Sequence, residues 1–108
     1  MPQLKVRGIE LIRLSEISKP LIDELEELLK CPRNYFTIEC INSTFIMVGE
    51  MVMDYPIVEI AWFDRGQEIQ DNVAKIVTNY IHKVGYKSVD IIFITLEEKK
   101  YYENGEHF

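Results

Sequence analysis

At 108 residues, with 47% hydrophobic and 28% charged side chains, the chain has the make-up of one folded domain rather than of a disordered segment. Its 12 basic side chains are outnumbered by 18 acidic ones, a net charge of −6, so a phosphate backbone is repelled on average and nucleic acid is not an expected partner. No apolar run approaches the roughly 18 residues that span a bilayer, and residues 1–10 lack the basic and apolar regions of a signal peptide; the expectation is a cytoplasmic protein with no membrane partner.

The first strand is read over residues 3–9, where Leu4 and Val6 alternate with Lys5 and Arg7. It begins with Pro2 directly behind Met1, and a methionine before a small residue is usually removed. Removal would leave a secondary amine in a ring at the end of a strand. An α-amino group titrates at roughly 7.7–8.0, and apolar burial or a neighbouring cation lowers that value, so such an amine can act as a base near neutrality. Proline at position 2 is also common without any function.

Residues 11–14 read as a connection, with Ser15 or Ser18 capping the helix that follows and Pro20 in or near its first turn, where amides have no intrahelical partner. Ile17, Leu21, Ile22, Leu25, Leu28 and Leu29 recur at helical spacing, and Asp23, Glu24, Glu26 and Glu27 fill the solvent side. Cys31-Pro32 ends the helix, because the residue before a proline is pushed to extended geometry. Extended segments follow at 35–41 and, after an Asn42-Ser43 turn, at 44–48. Residues 49–54 carry no pattern, and their two methionines suit loose packing against a neighbour.

Residues 57–63 form a nearly continuous run of strand formers, expected as a central strand covered on both faces. Asp64 and Gln67 have capping-box spacing for a second helix, whose stripe is Ile69, Val73, Ile76, Val77, Tyr80, Ile81 and Val84 and whose stop is Gly85. His82 falls in its last turn, where a basic side chain suits the helix dipole. The last long strand covers 89–96. Cys31 and Cys40 have no metal-ligand spacing and read as reduced thiols; no metal and no cofactor is implied.

The two halves resemble each other. Pro2 begins a strand reaching Arg7-Gly8 and Pro56 one reaching Arg65-Gly66, and each half adds a helix and a strand introduced by Tyr35 or Tyr86. The expected fold is α+β: duplicated β-α-β units forming a four-stranded sheet with two helices on one face, in a single domain over 1–108. The same order of elements also describes a ferredoxin-like fold with an antiparallel sheet, which would suit a small-molecule sensor.

Met1-Pro2, the duplicated units, the segment Cys31-Pro32-Arg33-Asn34-Tyr35-Phe36-Thr37-Ile38-Glu39 and the spacing through Pro56 to Gly66 resemble the superfamily of tautomerases and macrophage migration inhibitory factor. Arg33-Asn34 before Phe36-Thr37, Glu59 before Trp62-Phe63, and the ending Tyr101-Tyr102-Glu103-Asn104-Gly105-Glu106-His107-Phe108 are similar to a small uncharacterised bacterial branch of it. The resemblance implies a homotrimer with sites at subunit boundaries, and a processed amino-terminal proline acting as acid or base in keto-enol conversion.

Proton transfer beside a carbonyl needs a base, worth roughly a hundred- to ten-thousand-fold in rate, and a cation or donor where charge develops on oxygen. Pro2 is the candidate base. Arg33, aligned with a substrate-binding basic residue of relatives, and Arg65, after the strand of the second half, are the candidate anchors for a small anionic carbonyl substrate. Arg7 fits a solvent-facing strand position equally well. Glu39 and Glu59 each interrupt an apolar strand, and pairing with an arginine is expected of them ahead of acid-base work. Asp90 lies near where some cytokine relatives carry an aromatic residue, so their pocket does not carry over intact. The tail at 101–108 is more apolar than a solvated end and is expected to fold over a neighbouring subunit. Two readings stay open: a tautomerase, or a related enolising, hydrating or decarboxylating enzyme; and a trimeric binding or scaffold protein that kept the fold without the chemistry.

Overall fold

The computed structural model describes residues 2–52 and 55–108. The expectations for Met1, Met53 and Asp54 lie outside the described residues. In chain order the elements are β1 (Gln3–Arg7), α1 (Leu11–Leu29), a single 3-10 turn (Arg33–Tyr35), β2 (Thr37–Ile41), β3 (Phe45–Met47), β4 (Glu50–Val52), β5 (Ile57–Trp62), α2 (Gln67–Lys83), β6 (Asp90–Thr95), β7 (Tyr102–Glu103) and β8 (Glu106–His107).

Four strands make the main sheet, in the order β2-β1-β5-β6. β1 is parallel to β2 and β5 is parallel to β6, while β1 and β5 run antiparallel with Gln3 opposite Ala61 and Arg7 opposite Ile57. Each half is therefore a β-α-β unit, and the two units join across the middle of the sheet. The parallel pairs exclude the antiparallel ferredoxin-like alternative.

Alternation along the strands decides where the helices lie. Leu4, Val6, Val58, Ile60 and Trp62 are almost fully buried and share a core with Leu14, Ile17, Leu21, Leu25 and Leu29 of α1 and Val73, Val77, Tyr80 and Ile81 of α2. Each such side chain contributes about 1.5–3 kcal/mol on burial, so this one face carries most of the driving force. The other face, with Gln3, Lys5, Arg7, Glu39, Glu59, Ile92 and Ile94, is left partly or fully exposed. Within one chain, Ile57–Trp62 thus buries side chains fully on the helix side alone, because every second position carries its side chain to the open face.

The start of α1 departs from the sequence expectation. The helix begins at Leu11, with Leu14 N–H bonded to the Glu10 carbonyl, so Ser15 and Ser18 lie inside it and Pro20 sits in its interior. Burial of Leu14 and Ile17 in the shared core carries the helix through the proline despite the missing donor. At the other end Lys30, in the left-handed region, closes the helix by donating its N–H to the Glu26 carbonyl at 2.9 Å. The capping box at α2 does not form either. Asp64 accepts from the N–H of Gly66, the N-cap itself, and Gln67 donates to Asp71 one turn on.

The unpatterned stretch hides a strand. Val48 and Gly49, both at positive φ, form a two-residue turn between β3 and β4, with Met47 opposite Glu50. Ile46, Met47, Val48 and Met51 are exposed on this hairpin. The far end of the helical layer is clasped: Tyr86 accepts from Glu10 N–H at 2.9 Å, and Arg13 donates to the Val84 carbonyl while lying over the Tyr86 ring.

Candidate active site

Because β1 and β2 are parallel and α1 returns between them, the start of β1, the end of α1 and the start of β2 meet at one end of the sheet. β5 and β6 finish at that same end. Pro2 lies there, under 2% exposed, and its carbonyl accepts the N–H of Thr37 at 3.2 Å. Arg33, in the 3-10 turn before β2, and Arg65, just after β5, are brought to this end as well.

Both arginines are engaged by α1. Arg33 donates to Asp23 Oδ1 at 2.5 Å and Glu26 Oε1 at 3.2 Å, and Asp23 also receives Lys19. The hydrogen bond from Arg33, followed by that from Lys19, holds the Asp23 carboxyl below the ordinary carboxylate value, and Asp23 in turn raises Arg33. Arg65 instead donates to the carbonyl of Leu29 at 2.7 Å, in the last turn of α1. Its charge thus complements the helix dipole without meeting a carboxylate there. Of the two, Arg65 keeps the stronger capacity to attract an anion, because the field of Arg33 is already answered by two carboxylates.

The other candidates lie elsewhere. Glu39 and Glu59 flank Lys5 in one row across the middle of the open face, and Glu59 accepts from Arg7 at 2.9 Å. The arginine that Glu59 meets is therefore neither of the two substrate candidates. Asp90 starts β6 at the opposite end of the sheet, where Tyr55 Oη reaches it at 3.4 Å. His82 is exposed in the last turn of α2. Cys31 and Cys40 are free thiols, and among the described residues no cluster could hold a metal ion.

Sequence reasoning did not reach Gln3 and Phe63. The tail turns back onto its own chain: Phe63, Tyr101 and Phe108 form a ring cluster with centroids 4.9–5.7 Å apart, and Gln3 Nε2 donates to Tyr101 Oη at 3.1 Å. The apolar character of residues 101–108 was the available signal, and it marked the tail without naming what it covers.

Pro56 matches Pro2, being buried with its carbonyl accepting the N–H of Asp90 at 3.1 Å. At that end Gly8, at φ 78°, is pressed so closely against Tyr55 that an added Cβ would overlap the carbonyl oxygen and lie 2.5 Å from its carbon. Gly66, the N-cap of α2, has nothing within 4 Å of where its Cβ would be. Backbone therefore fills the space beside Gly8, whereas that beside Gly66 is open.

This fold, two β-α-β units with both helices on one face of a mixed four-stranded sheet, is that of the tautomerase and macrophage migration inhibitory factor superfamily. The chain superposes with a TM-score of 0.82 on a fused 4-OT asymmetric trimer, at 12% identity over 97% of this chain and 94% of that one. It likewise matches a macrophage migration inhibitory factor-like protein from Entamoeba histolytica, at 0.78 with 14% identity over 99% and 98%. Among chains of this fold it belongs to the DUF1904 family, a domain of unknown function, whose model matches residues 1–107. A crystal structure of a DUF1904 domain from Sebaldella termitidis ATCC 33386 is similar over 100% of both chains, with 37% identity and a TM-score of 0.93. No curated protein matches the chain significantly.

Proposed function

We propose that the protein is a tautomerase that interconverts keto and enol forms of a small carboxylated carbonyl compound, with Pro2, freed of Met1, as general base. The observation that carries this reading is topological: β1 and β2 start, and β5 ends, at one end of the sheet, so Pro2, Arg33 and Arg65 share that end.

In the proposed step the neutral Pro2 nitrogen takes the proton from the carbon next to the carbonyl, the carbonyl oxygen gains negative charge as the enolate forms, and the protonated Pro2 nitrogen or water then protonates that oxygen to give the enol. Arg65 places the substrate carboxylate and answers the charge on the oxygen, with Arg33 as a second anchor once it turns from Asp23 and Glu26. A cation beside the amine also disfavours its protonated form, so the same arginine supports base strength and substrate class. No cofactor enters.

Self-association completes the reading as a homotrimer. Ile46, Met47, Val48 and Met51 on the β3–β4 hairpin and Ile92 and Ile94 on the open face are apolar surface that a second copy would cover. Light scattering at micromolar concentration tests this, and a monomer would remove the shared interface.

The test of activity is a panel of 2-oxo acids and their enols given to protein whose intact mass shows loss of Met1, alongside Pro2→Ala and Arg65→Ala. The processed protein is expected to turn over a member of the panel. Pro2→Ala is expected to lose about a hundredfold or more in kcat, and Arg65→Ala to raise KM. Turnover unchanged in Pro2→Ala refutes proline catalysis. Retained Met1 makes the Pro2 nitrogen an amide without a basic lone pair and favours the alternative, a trimeric binding or scaffold protein.

A further inference from the structure

We propose that Tyr101 is a positioning residue for the Pro2 amine, acting through the side chain of Gln3; the inference rests on the reading of Pro2 as the base. A base at the first residue of a chain has a covalent neighbour on one side only, and chain ends fray unless they are tied down. Three sets of contacts tie this one. The Pro2 ring is buried, its carbonyl holds Thr37 N–H, and Gln3 enters the ladder between Thr37 and Ala61.

Gln3 carries its side chain to the face opposite the helices, where Nε2 donates to Tyr101 Oη at 3.1 Å across 98 residues of sequence. Tyr101 is fixed in turn. Its ring packs on Phe63 at 5.7 Å and Phe108 at 4.9 Å, and its carbonyl accepts the N–H of Phe108 at 3.2 Å. Phe63 directly follows Trp62, the last residue of β5, and the register that sets Ala61 against Gln3 brings this end of β5 beside Pro2. The cluster therefore braces the first strand from the side the helices leave open. Strands β7 and β8 are themselves exposed and add little to the core, so the tail acts mainly where its aromatic side chains reach the sheet.

A displacement of a reacting group by about 1 Å costs on the order of a hundredfold in rate, and removing one hydroxyl from this brace should cost a fraction of that. The readout is alkylation of the Pro2 nitrogen by the activated alkyne 2-oxo-3-pentynoate, in which the amine adds across the triple bond and no group leaves. Rates are compared on the high-pH plateau, where the amine is neutral in every variant and ionisation cannot account for a difference. Processed wild type is expected to react faster than an unstructured peptide that begins with proline. Tyr101→Phe and Gln3→Met should each react about tenfold more slowly than wild type at unchanged melting temperature, and the double variant no more slowly than either single one. That non-additivity is what separates positioning through Gln3 from a general loss of packing. Wild-type rates in Tyr101→Phe, or fully additive losses, overturn the positioning role while leaving Pro2 reactive. A wild type no faster than the peptide overturns both, because no oriented amine then exists to be positioned.

Discussion

Replacing Gly8 by alanine tests how far the Pro56 end of the sheet is locked by backbone contact. Gly8 sits at φ 78°, a region where an L side chain costs about 1–2 kcal/mol. Its new Cβ would also overlap the Tyr55 carbonyl oxygen and stand 3.0 Å from the Pro56 nitrogen. Neither neighbour is a flexible side chain, so the strand or the 55–56 backbone must shift, at about 1–3 kcal/mol. The sum is about 2–5 kcal/mol, a drop in Tm of about 10–30 °C for a domain of this size. Gly49→Ala provides the comparison. Gly49 has a similar φ of 80° but open space around its Cβ position, so only the backbone penalty applies and the drop should stay below about 12 °C. Thermal unfolding followed by circular dichroism at one protein concentration reads both. Equal drops in the two variants would refute the claim that the Tyr55 carbonyl closes that corner.

Trp62 is 1% exposed, and its indole Nε1–H has no hydrogen-bond partner among the described residues, an arrangement that costs about 1–3 kcal/mol. Trp62→Phe removes that unpaired donor along with some packing, so urea unfolding should show a loss below about 1.5 kcal/mol, against about 2–5 kcal/mol for Ile60→Ala in the same strand; a Trp62→Phe loss as large as that of Ile60→Ala would show the indole N–H to be satisfied. Arg33→Ala should raise the Asp23 carboxyl toward its ordinary 3.8, because the hydrogen bond from Arg33 is the main cause of its depression. A depressed folded-state value means that the contribution of the pair is fully present above 3.8 and is lost as pH falls through the folded value. Carboxyl-carbon NMR titration should therefore show the upward shift, with a smaller acid-side loss of stability in the variant.

The alternation in residues 3–7 and the helical stripes ending at Leu29 and Val84, in halves that each begin with a proline-led strand, were enough to assign two β-α-β units, because alternation and stripe report which side of each element is buried. Ends of elements were harder. Leu11 and Ile12 are exposed, so the first turn of α1 has no apolar stripe to reveal it, and Pro20 reads as a helix start although tertiary burial carries the helix through it. β4 escaped notice because a hairpin that projects from the sheet needs no alternation, and its turn places the branched Val48 at φ 50°. At the candidate site, position along the chain gathered Pro2, Arg33 and Arg65 at one end. Their hydrogen-bond partners could not be read, since Asp23, Glu26 and the Leu29 carbonyl become neighbours only after α1 has folded back. The brace formed by Gln3 and Tyr101 joins the two extremes of the sequence, where local patterning carries no information.

The duplication has a consequence for stoichiometry. Pro2 and Pro56 occupy matching places and hold the N–H groups of Thr37 and Asp90 in the same way. Yet a proline joined to Tyr55 is an amide in every copy of the chain, whatever processing occurs. The second locus could never present a basic nitrogen, so occupying its corner with the Tyr55 backbone removes nothing that acid-base chemistry could use. An assembly that places both loci in equivalent surroundings would still bind only one molecule of an amine-directed reagent per polypeptide, never two.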